Sequence, residues 1–126
     1  MYQIERFECG IREFMEERDP GCHEFVLLFD HNKRAFVGYD RDEEDFLTPI
    51  DEWLEKPVDE VFSRGFAMLA CLKSREALES GGIIEYCDVA LPPGTNLARY
   101  YKVRVIPDGP GMCLFHFYIL ATFSLN

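Results

Sequence analysis

The sequence predicts an α+β domain built on an antiparallel sheet. Hydrophobic spacing changes from helical to strand-like after Gly81-Gly82, so helices and strands are grouped along the chain instead of alternating as βα units. The strand-like stretches are joined by short polar or Pro/Gly-rich turns, the connections used by antiparallel neighbours. The element order is helix, two strands, short helical turns, one longer helix, three strands.

Residues 2–18 read "YQIERFECGIREFMEER". Ile4, Phe7, Ile11, Phe14 and Met15 recur at spacings of three and four, with Glu and Arg on the other side. This is an amphipathic helix in need of a surface to cover, and "DPG" at 19–21 ends it. "EFVLLFD" (24–30) and "AFVGYD" (35–40) form a hairpin about the polar turn "HNKR". Pro49 and Pro57 interrupt residues 40–62, which predicts two or three short helical turns; Asp40 and Glu43 have the spacing of a capping pair. Residues 63–82 are the long helix, capped by Ser63 and ended by Gly81-Gly82, with Phe66, Met68, Leu69 and Leu72 forming its apolar side. Three strands follow: 83–91, 98–107 and 112–123.

A chain of 126 residues with 48% hydrophobic and 14% aromatic residues suits one domain with an aromatic core. The division expected is an N-terminal helix over 1–20, for capping or dimerisation, and a main domain over 21–126. Thirteen basic against 23 acidic residues give a net charge of −10, which argues against direct nucleic-acid binding. Five scattered cysteines without a C-x-x-C pair and the charged start "MYQIERFECG" predict free thiols in the cytoplasm. No apolar run reaches the about 18 residues of a spanning helix. That applies also to "MCLFHFYILATF" (112–123), whose two apolar faces predict a doubly buried strand.

Three further stretches carry a resemblance. "EWLEKPVDEVF", "REALESGGIIEYCDVAL" and "ARYYKVRVIPDGPG" resemble segments of the PAS (sensory box) family: its short helices, its helix end with the next strand, and its penultimate strand with its loop. The likeness spans about residues 24–123. It implies a five-stranded antiparallel sheet with the short helices and the longer helix on one face, and a sensory role in which a bound small molecule or protein partner shifts sheet–helix packing. The chain departs from the family in carrying Asp40 where Asn is common, and in ending "LATFSLN" in place of an Asp-Ile-Thr junction with an output helix.

The resemblance implies a pocket between sheet and helices. By alternation Arg99 and Tyr101 share a face with Val103 and Val105, taken as the inner one, and Tyr86 faces the same way. Phe66 and Leu69 complete the candidate ligand site. The resemblance implies neither flavin nor haem: the family's light-sensing flavin domains carry an Asn-Cys-Arg-Phe-Leu-Gln run that is not present here, and its common haem sensors carry a histidine on the long helix, whereas residues 63–82 contain none. Scattered Cys and His argue against a metal, and no catalytic motif points to an enzyme. His116 shares a strand face with Leu114, Tyr118 and Leu120 and is read as a structural, hydrogen-bonded histidine. The outer sheet face, with His116 and Tyr118, and the N-terminal helix, with Ile4, Phe7, Ile11 and Phe14, make the expected homodimer interface. The competing expectation is a ligand-free dimerisation or scaffold module.

Overall fold

The computed structural model describes residues 23–40, 49–91 and 95–125. The hairpin forms first in the chain. Strand β1 (His23–Asp30) turns into β2 (Ala35–Tyr39) because the Asp30 carboxylate accepts from the backbone N–H groups of Asn32 and Lys33 at 3.0 and 3.1 Å. Arg34 completes the turn at a φ of 56°, in the left-handed region. Asp40 accepts from the Val26 N–H at 2.8 Å where the β1–β2 ladder ends. Glu43, its expected capping partner, lies outside the described residues.

Each proline of the next segment stands immediately before a helical turn, where its missing N–H costs nothing. Pro49 precedes the 3₁₀ turn Ile50–Glu52, and Pro57 precedes α1 (Val58–Val61). This segment also protects the outer edge of β2. Glu55 N–H donates to the Phe36 carbonyl and Val58 N–H to the Arg34 carbonyl, both at 2.8 Å. Helix α2 (Arg64–Ser80) starts where the Ser63 hydroxyl accepts from the Phe66 N–H, and ends at Gly81 in the left-handed conformation at φ 71°.

Strands β3 (Ile84–Ala90), β4 (Leu97–Pro107) and β5 (Met112–Ser124) complete a five-stranded sheet of order β2-β1-β5-β4-β3, antiparallel at every pairing. β5 lies in the middle, which explains its unbroken apolar run: residues 113–119 are all buried. Cys113, Phe115, Phe117 and Ile119 face the helices in the main core. Leu114 packs on the opposite face with Val26 and Leu28. The register with β4 slips between Tyr100 and Tyr101, so Leu120 is an extra residue and the alternation beyond it is reset.

The long helix differs from its expected orientation. Phe66, Ala67, Ala70, Ser74 and Ala77 are its buried residues, whereas Met68 is 62% and Leu72 40% exposed. The reason is volume. Phe25, Phe29, Phe36, Phe115 and Phe117 already fill the inner side of the sheet, so the helix approaches on its small residues.

The outer face holds a polar network as well as apolar side chains. His116 is 1% exposed, and its Nε2 lies 3.2 Å from Glu24 Oε2. Its ring stacks on Tyr118 at 5.5 Å. Arg104, opposite His116 on β4, pairs with Glu85 on β3 at 3.1 Å. His116 and Tyr118 are thus buried within a single chain. Ile4, Phe7, Ile11 and Phe14, and the whole helix expected over 1–20, lie outside the described residues.

Candidate functional site

The site grows from the alternation of β3 and β4. Inward positions of β3 are Ile84, Tyr86, Asp88 and Ala90, while those of β4 include Arg99, Tyr101, Val103 and Val105. Antiparallel register sets Asp88 opposite Tyr101 and Ala90 opposite Arg99, so Tyr86, Asp88, Arg99 and Tyr101 form one polar patch at the rim of the core. Below them the core is aromatic. Tyr101 packs edge-on against Phe25 at 6.1 Å and Phe117 at 5.1 Å, and Phe66 of α2 stacks over Phe117 at 6.4 Å.

The patch is electrostatically unfinished. The Asp88 carboxylate accepts from the Val89 N–H at 2.8 Å through one oxygen, but its other oxygen is buried without a partner. The Tyr86 hydroxyl and Arg99 Nε are likewise buried and unpartnered. Each such atom costs the free protein about 1–3 kcal/mol. Burial pushes the Asp88 carboxyl up, opposed by its backbone hydrogen bond. It pushes the Tyr86 hydroxyl up strongly, with the Asp88 charge adding to it. Burial also raises Tyr101, while the charge and hydrogen bond of Arg99 act the other way. An acceptor atom brought to Arg99 and a donor brought to Asp88 and Tyr86 would satisfy all three orphans.

The structure brings four of the five sequence candidates to this region: Tyr86, Arg99 and Tyr101 at the rim, and Phe66 in the core beneath. Leu69 lies elsewhere, lining a groove on the outer side of α2 with His31 and Arg75. Sequence reading missed Asp88. Its signal was present, since it follows Tyr86 by two positions and so shares its face.

No family model matches the chain, and no curated protein matches it. Among solved structures it is similar to a domain of an HTR-like protein from Haloarcula marismortui, with a TM-score of 0.55 and 12% identity, covering 82% of this chain and 98% of that one. At this identity the likeness carries the fold and nothing finer. The fold is α+β, with a PAS-like five-stranded antiparallel sheet and its helices on one face.

Proposed function

We propose that the chain is a sensory domain of PAS type, acting by binding and not by catalysis. It takes up a small polar molecule at Tyr86, Asp88, Arg99 and Tyr101 and passes on the resulting shift in sheet–helix packing. The observation that supports this is the convergence of three buried, unpartnered polar atoms on one patch of the inner face. Groups that weaken the free protein and converge on one patch fit a role in binding. A population shift between two packings then needs only that the molecule bind one of them better.

Tyr86→Phe tests it. Removing a buried hydroxyl without a partner should raise the stability of the ligand-free protein by about 1 kcal/mol. It should also weaken the thermal stabilisation given by any small molecule found on the purified protein by native mass spectrometry or in a metabolite screen. Loss of stability in the free variant, or stabilisation of the variant equal to that of the parent, would count against the site.

A second reading is a ligand-free interaction module. The close aromatic filling of the core favours it, with Phe62 and Phe66 rings 4.8 Å apart and Phe25 stacked on Phe117 at 5.0 Å. No ligand retained and none found in the screen would support it. Under either reading we propose a homodimer built by the outer sheet face together with the amphipathic sequence of residues 2–18. Light scattering should give twice the chain mass at roughly tens of micromolar, where an interface of standard size assembles; the mass of one chain would refute it.

A further inference from the structure

A second concavity lies along the exposed side of α2, lined by residues other than the four of the polar rim. It is a groove of about 640 Å³ between the β1–β2 turn and the exposed side of the helix. That volume is in the range of small-molecule sites. Its floor is apolar, from Met68, Leu69 and Leu72, two of which are the exposed large hydrophobics of the helix. Its walls carry His31, Arg34 and Arg75, and among the described residues no acidic side chain lines it. On a chain of net charge −10 this is a local reversal of sign.

The walls are held in place. The Ser74 hydroxyl donates to the Cys71 carbonyl at 2.9 Å, so at 2.6 Å from His31 Nδ1 it acts as the acceptor. That hydrogen bond joins the turn to the buried side of the helix. Arg34 comes from the left-handed position of the same turn, and its guanidinium lies against the Cys71 thiol. Its ion pair with Asp59 is long, 3.8 Å, and both side chains are half-exposed, so it is readily exchanged for a better anion.

We propose that this groove binds a small amphipathic organic anion, one acidic headgroup on an apolar body. Arg34 and Arg75 hold the headgroup, and Met68, Leu69 and Leu72 receive the body. The site is separate from the polar rim and does not depend on it. Its chemistry follows from the lining: an uncharged hydrocarbon would leave the arginines unused, and a bare inorganic anion would leave the apolar floor in water.

Decanoate below its micelle concentration is the probe, with decanol as its uncharged counterpart, followed by amide chemical shifts of the full chain. Decanoate should shift residues 31–34 and 65–75, and decanol should bind at least about tenfold more weakly, the loss of one charge-assisted contact. Arg34→Glu combined with Arg75→Glu, both on exposed residues, should weaken decanoate by at least the same about tenfold factor and leave the remaining spectrum unchanged. Arg99→Leu should leave decanoate binding intact, which separates this site from the polar rim. The proposal is overturned if the double variant binds decanoate as the parent does, or if the shifts map to β3 and β4. It is equally overturned if decanoate fails to bind while an acidic amphipathic peptide shifts residues 65–75, which would make the groove a protein-docking surface.

Discussion

Phe117→Ala should remove a large share of the domain's stability. The side chain is 1% exposed and is the hub of the aromatic core. Its ring lies 5.0 Å from Phe25, 5.1 Å from Tyr101, 6.1 Å from both Phe36 and Phe115, and 6.4 Å from Phe66. It therefore ties β1, β2, β4, β5 and α2 to one another. Truncating a buried Phe costs about 3–5 kcal/mol, because the vacated volume refills only in part. A domain of this size has about 5–15 kcal/mol in total. Urea unfolding followed by circular dichroism should show a midpoint well below that of the parent, with the slope retained. A loss under about 1 kcal/mol would mean that the core collapses around the gap and that the packing described is not the one that matters.

His116 should make the domain acid-sensitive near neutral pH. Burial holds its imidazole below the usual 6.5, and Arg104 adds to this, while Glu24 and Asp40 pull the other way. The folded state therefore favours the neutral ring, and the unfolded chain takes up the proton first. His116's contribution is fully present above pH 6.5 and falls with a slope of up to about 1.4 kcal/mol per pH unit until the folded state also protonates. Asp88 works in the opposite sense at lower pH. Its carboxyl is raised above 3.8, so the cost of its buried charge is relieved as acid protonates it in the folded state. Stability measured by urea unfolding at several pH values should therefore fall between neutrality and mild acid. His116→Gln keeps a donor for Glu24 but cannot titrate, and should remove that slope. An unchanged slope in the variant would place the acid sensitivity on other groups.

The local features of this fold were legible because their causes are local. Asp30 and the polar residues after it make a turn, Ser63 caps a helix and Gly81 ends one by rules that act within a few residues. The inward placement of Tyr86, Arg99 and Tyr101 needed only the two-residue period of a strand. The hydrogen-bonded state of His116 could be expected from its type. Its partner could not, because Glu24 is 92 positions away and arrives through the β1–β5 register. The same holds for His31 and Ser74, separated by 43 positions.

The sequence by itself determined the element order from β1 to β5, the antiparallel sheet and the doubly buried character of residues 112–123, since each follows from spacing and turn chemistry along the chain. Only the tertiary structure decided which side of α2 meets the sheet. Hydrophobicity favoured Met68, Leu69 and Leu72, but the space left by the phenylalanines admitted Ala67, Ala70, Ser74 and Ala77. The larger residues were turned outward, and so Leu69 moved from the expected pocket to the basic groove. Packing volume is a property of the assembled sheet and helix, and no stretch of the chain contains it.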